Sequence, residues 1–134
     1  MMTAEDKFKY WLEYAEYDLG TAEAMLKSGR WLYVVFMCQQ AIEKLVKGLY
    51  ILYMDDNVPR IHNIRPLVER FEDKLPVKIP DDNYVFFDKL SDYYLNNRYP
   101  EYISKLGSQM KEHDVSPILL QTREVFSWLL TLKP

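Results

Sequence analysis

The chain has 134 residues, 49% apolar and 28% charged, with 17 basic against 20 acidic side chains and a net charge of -3. That length suits one domain, residues 1–134, with its own hydrophobic core, and the apolar share excludes a disordered chain. No run of like charge stands out, which argues against sequence-independent DNA binding but leaves room for a small local site acting on RNA.

In chain order, Thr3 is placed to cap a helix over 4–27, with Glu5 and Asp6 in its first turn. Phe8, Leu12, Ala15, Leu19, Ala22 and Leu26 recur at steps of three and four and form its core stripe. Gly29 ends it within "KSGRW". A second helix spans 31–54 with a broad apolar face from Val34 to Leu52, and Gly48 in it invites a neighbouring helix to come close. "DDNVPR" reads as a polar loop, followed by a short helix in "IRPLVERFEDKL" capped by Asn63. A fourth helix, 82–96, is capped by Asp81 or Asp82 and turns Val85, Phe86, Leu90 and Tyr93 or Tyr94 inward. Pro100 breaks the chain after "NNRY", a short helical piece leads to Gly107, and a last helix runs from near Asp114 or Ser116 to Leu132. No strand alternation appears, so the fold class is all-α.

The apolar stretch 31–54 carries Gln39, Gln40, Glu43, Lys44 and Lys47 and does not read as a membrane span. "MMTAEDKFKYW" has no apolar signal core, and the expected location is the cytoplasm. Cys38, the single cysteine, fits an inert buried thiol. His62 and His113 stand apart near loops, without metal-ligand neighbours at helical spacing, so no metal and no cofactor is expected.

Two segments have the make-up of a ligand site. In "QQAIEKLVKGL", Gln40, Glu43, Lys44 and Lys47 fall at i, i+3, i+4 and i+7 on one helical face. A solvated face held by pairs worth about 0.2 to 0.5 kcal/mol explains them equally well. In "NNRYPEY", Arg98 suits bidentate phosphate contact and Tyr99 suits base stacking; capping of a helix end and simple packing are the plain readings. Tyr10, Tyr14 and Tyr17 stack opposite the apolar stripe of the first helix and mark a lateral contact, with another helix or with a second subunit.

"AEYDLGTAEAMLKSGRW", "CQQAIEKLVKGLY", "HNI" at 62–64 and "NNRYP" occur in this order over nearly the whole chain. Together they resemble the HEPN family, with its A-x-x-D-L-x-x-A helix, Q-Q-A-x-E-K-x-x-K helix, His-led third helix and Arg-Tyr-Pro element. The resemblance implies an up-and-down bundle of four to five helices and a homodimer. It also makes Gln40, Glu43, Lys44 and Lys47 groove residues for a nucleotide. Family ribonucleases carry R-x(4-6)-H; here the residues at that distance from Arg98 are Ile103, Ser104 and Lys105, so the motif is missing. The implied role is a non-catalytic, nucleotide-binding partner of a minimal nucleotidyltransferase in a two-gene system of toxin-antitoxin type. The alternatives are a ribonuclease with a degenerate site around Arg98 and a structural adaptor without a small ligand.

Overall fold

Thr3 accepts the Asp6 N–H on its hydroxyl at 3.1 Å, and the Asp6 carboxylate takes the Thr3 N–H at 3.0 Å. This reciprocal cap satisfies two orphan donors and starts α1, Ala4–Lys27, in a computed structural model that describes residues 1–96 and 99–134. Phe8, Ala15 and Ala22 are buried, with Leu12, Leu19 and Leu26 packed beside them, as the spacing predicts. Gly29, at φ 75°, lets the chain reverse, and the Arg30 N–H bonds the Met25 carbonyl at 2.9 Å.

The helix that follows, α2, Trp31–Tyr53, is the axis of the molecule. Its Val34, Val35, Cys38, Ala41, Ile42, Leu45, Val46 and Leu49 are fully buried. Around it pack α1, α3 (Ile64–Glu69), α4 (Asp81–Asn96), α5 (Pro100–Gln109) and α6 (Glu112–Leu130). The bundle proper is made by the four long helices α1, α2, α4 and α6, because α3 has only six residues and α5 buries none of its own. The fold is all-α, with no strand among the described residues. The chain end is tied back: the Tyr53 hydroxyl donates to the Leu132 carbonyl, and Lys133 pairs with Glu5 on α1.

Four local expectations are corrected. Val85 is 64% exposed. Tyr84, Phe86, Phe87, Leu90 and Ser91 are the buried face of α4, and at ~100° per residue Val85 lies opposite the centre of that arc. Asn63 stands at the N-cap of α3 without capping it; Ser91 on α4 instead accepts the Ile64 N–H at 3.1 Å. Gly107 does not end α5, which continues to Gln109 and stops where buried Met110 turns extended. The last helix begins at Glu112, two residues before the nearer of the two expected starts, Asp114, whose carboxylate accepts the Lys111 N–H at 2.9 Å.

Gly48 marks the closest approach of α1 and α2: a Cβ there would stand 3.1 Å from both Phe8 Cδ2 and Trp11 Cβ. A branched side chain has to push those helices apart. Gly48→Val is expected to lower stability by about 1–3 kcal/mol, measured as a shift in the urea midpoint at unchanged m-value. Burial pushes the Cys38 thiol up to about 11, so it is expected to react with a thiol reagent at pH 8 only at the rate at which the bundle opens. Fast labelling of the native protein would contradict this.

Candidate functional site

One face of α2 departs from the apolar pattern. At ~100° per residue, Phe36, Gln40, Glu43, Lys44, Lys47 and Ile51 share a single arc of about 100°. Glu43 and Lys47 are buried, while Gln40 and Lys44 are half-buried. The face is therefore not a free wet surface. It is covered by α1 on one side, where Lys44 meets Asp18, and by His62 on the other, where the ring meets Glu43.

Asp18 and Tyr14 form the α1 wall. Asp18 is only 3% exposed and makes an ion pair with Lys44, whose ammonium also lies 3.9 Å above the centre of the Tyr14 ring. On the other side of the same face, the buried Glu43 carboxylate collects donors. Its Oε2 takes Lys47 Nζ at 2.9 Å and His62 Nδ1 at 3.1 Å, and its Oε1 takes Gln39 Nε2 at 3.0 Å. Gln39 Nε2 gives its second proton to the His62 carbonyl at 2.8 Å. Both partners of that nitrogen are acceptors, so the amide cannot be flipped, and Gln39 Oε1 is left buried with no protein partner. The His62 ring, its side chain 53% exposed, sits 5.2 Å from the Tyr94 ring, which in turn stacks on Phe36 at 5.3 Å.

One turn beyond Lys47, between α1 and the segment 55–62, is a crevice of about 450 Å³ with Ile51 on its floor. Lys7, Tyr10 and Trp11 line it from α1, and Asp56, Asn57, Val58 and Arg60 from the facing segment. The Lys7–Asp56 ion pair bridges the two walls. Arg60 is exposed and makes no ion pair with a described residue. Tyr10, Trp11 and Tyr14 also enclose a smaller, nearly apolar hollow of about 190 Å³ on the α1 side. A third hollow, of about 250 Å³, lies among Leu32, Tyr33, Val35, Phe36, Tyr93 and Ile103, with no charged side chain lining it among the described residues.

The structure thus keeps Glu43, Lys44 and Lys47 on one face of α2 next to the crevice, and both lysines are already paired within the chain. Gln40 is on the same floor, but its neighbour Gln39 makes the polar contacts. Tyr10, Tyr14 and Tyr17 are 63%, 56% and 75% exposed, and the first two double as the rim of the crevice. Tyr99 is 55% exposed at the N-cap of α5, so it does not pack away. Arg98 lies outside the described residues. The spacing missed Asp18, His62 and Arg60. Asp18 carried a signal, since it sits at i+3 from Ala15 and i-4 from Ala22, where an unpaired charge would be costly.

This geometry can be set beside known proteins. The model of the HEPN domain matches residues 8–132. The chain belongs to the HEPN family. A solved structure, TT1696 from Thermus thermophilus, superimposes with a TM-score of 0.80 over 93% of this chain and 97% of that one, at 24% identity. At that identity the likeness concerns the fold, and TT1696 shares this HEPN protein's helical arrangement. No curated protein matches the chain.

In this HEPN bundle, removing one member of a buried pair strands the other. Asp18→Ala is expected to destabilise by about 3 kcal/mol because it leaves Lys44 without its counter-charge, whereas Asp18→Leu combined with Lys44→Met recovers most of that loss. Thermal melts of the single and double variants check this; equal losses in both would show that the pair is not what matters.

Proposed function

We propose that this HEPN protein is a nucleotide-binding partner subunit of a minimal nucleotidyltransferase, in a two-gene system of toxin-antitoxin type. Its nucleotide site is the crevice between α1 and the segment 55–62. The observation that carries the reading is the crevice itself, floored by Ile51 between the rings of Tyr10 and Trp11 and a mixed-charge wall that displays Arg60. Trp11 and Tyr10 offer ring faces for a base. Arg60, free of ion pairs to described residues, is suited to a bidentate phosphate contact on the opposite wall. Lys44 uses one of its three donors on Asp18, so protons remain for a phosphate that approaches over Tyr14.

The same residues support self-association. Tyr17 and the outer edges of Tyr10 and Tyr14 form an exposed aromatic ridge on α1 beside the crevice. Large amphipathic rings of this kind are enriched where proteins meet. In this reading a second copy packs on the ridge and a nucleotidyltransferase supplies the transfer chemistry, while the crevice holds the nucleotide. No helix among the described residues is long and apolar enough to cross a membrane.

Calorimetric titration of the purified protein with ATP is expected to give saturable heat. Arg60→Ala is expected to weaken binding by about tenfold or more, the worth of one charge-assisted contact, without changing the melting temperature. Heat no larger than dilution for ATP and other nucleotides would overturn the proposal.

A further inference from the structure

Glycine weakens the interior of a helix, because it has the most backbone freedom to lose on folding. Gly48 has its reason inside the chain, in the contact with Phe8 and Trp11. Gly20 has none there. It lies well inside α1, it is exposed, and a Cβ built on it meets nothing within 4 Å among the described residues. Its neighbours on the helix surface supply one. At ~100° per residue, Tyr17 points directly away from the core stripe of Phe8, Leu19 and Leu26. Within ~60° of Tyr17 lie Tyr10, Glu13 and Tyr14 toward the N-terminus and Gly20, Thr21 and Ala24 toward the C-terminus. Large side chains fill the first half of this face and small ones the second, at mirrored distances from Tyr17: three, four and seven positions on either side.

We infer that this face binds the same face of a second copy, antiparallel, with the two-fold axis passing at Tyr17. The pairing rests on the self-association proposed above and specifies its surface and register. About that axis, a residue some positions before Tyr17 faces the partner residue the same number of positions after it. Tyr10 then lands on the partner's Ala24, Tyr14 close to the partner's Thr21 and Glu13 close to the partner's Gly20. Each contact sets large on small, and symmetry repeats it. Tyr17 meets the partner's Tyr17 as an aromatic pair. A parallel copy in register would instead set tyrosine on tyrosine and leave glycine opposite glycine, a poorly filled interface. Two contacts prepare the face. The Tyr14 ring rests against the Lys44 ammonium at 3.9 Å, which holds it in place before docking. The Thr21 hydroxyl donates to the Tyr17 carbonyl at 3.0 Å, so its methyl group is left to meet a ring. Glu13 is the only charged side chain among the seven, and in this register it faces no second carboxylate. Tyr10, Tyr14 and Tyr17 are more than half exposed. At about 200 Å² per tyrosine, their free surface comes to about 400 Å² per copy, half of the ~800 Å² that each partner gives a standard interface. The rest falls to Glu13, Gly20, Thr21, Ala24 and the flanking turns. Because the axis runs perpendicular to both helices, the two crevices open on the same side of the pair.

Sedimentation equilibrium of the wild type and of Gly20→Leu tests the pairing. Leucine at an exposed and unobstructed helical position is expected to keep the helical circular-dichroism spectrum and a cooperative melt. It fills the shallow half of the face in both copies and is expected to weaken dimerisation by about a hundredfold or more. Register is read from cross-links, with Cys38 buried and out of the way. Tyr17→Cys is expected to oxidise to a disulfide-linked dimer, because a residue on the axis meets its own copy within disulfide reach. Tyr10→Cys co-expressed with Ala24→Cys is expected to link as well. Tyr10→Cys alone is not, its two copies lying ~21 Å apart along the helices. A dimer that Gly20→Leu leaves intact, or a Tyr17→Cys dimer that stays unlinked, sinks this packing and leaves self-association through another face. A wild type that sediments as a monomer sinks the self-association reading with it. Neither result touches nucleotide binding in the crevice, which calorimetry reads on its own.

Discussion

One carboxylate organises this molecule. The Glu43 side chain is 4% exposed, in an environment where an uncompensated charge costs several kcal/mol. It is tolerated because Lys47, Gln39 and His62 all donate to it. Those donors come from α2 itself and from the segment that enters α3, so satisfying the charge also decides where that segment lies. Ser91 on α4 then receives the Ile64 N–H at 3.1 Å, which extends the same constraint to a third helix. An apolar pair in place of Glu43 and Lys47 together could fill the same space with comparable stability. What it could not do is hold the His62 ring in one tautomer and one orientation, so the buried charge serves geometry more than energy.

The second ion pair on α2 works on the other side. Lys44 reaches toward α1, where Asp18 and Tyr14 receive it, while Gly48, one turn later, lets Phe8 and Trp11 come into contact with the axis. Close approach at Gly48 and the charge pair at Lys44 therefore fix both the distance and the rotation of α1. Rotation is what brings Tyr10 and Trp11 over the crevice and leaves Tyr17 outside it. The hollow above Ile51 is a by-product of this packing: α1 covers one shoulder of α2, the segment 55–62 covers the other, and neither covers the strip between.

The long helices were legible because their pattern is local. Thr3 with Asp6, the stripe from Phe8 to Leu26 and the reversal at Gly29 each involve residues within a few positions of one another. The site was legible only in part, for a physical reason. Helical spacing identifies which residues of α2 share a face, and it put Glu43, Lys44 and Lys47 on one. It does not say what stands opposite. His62 lies 19 residues from Glu43, and Asp18 lies 26 from Lys44, so these partners are products of tertiary packing. The choice of Gln40 over Gln39 has the same origin. Periodicity favours the member of the pair nearest the stripe's centre, whereas it is Gln39, at the stripe's edge, that donates to the His62 carbonyl. Val85 shows the converse error, an apolar residue assigned to the core by type although its angle on α4 turns it outward.

The two proposed activities meet on this surface, and the geometry separates them by residue. Tyr17 belongs to the exposed ridge and not to the lining of either crevice hollow, whereas Arg60 and Ile51 belong to the hollow and not to the ridge. Tyr10 and Tyr14 belong to both. A protein docking on the ridge would therefore cover the rings that form the crevice's aromatic wall, dehydrating the Lys44–Asp18 pair and strengthening every electrostatic contact beneath it. A ligand already in the crevice would fix Tyr10 and Tyr14 before docking and spare the partner the entropy of ordering them. On the proposed reading each event would make the other more favourable, so occupancy of the crevice and pairing along α1 would be thermodynamically linked through two tyrosine rings.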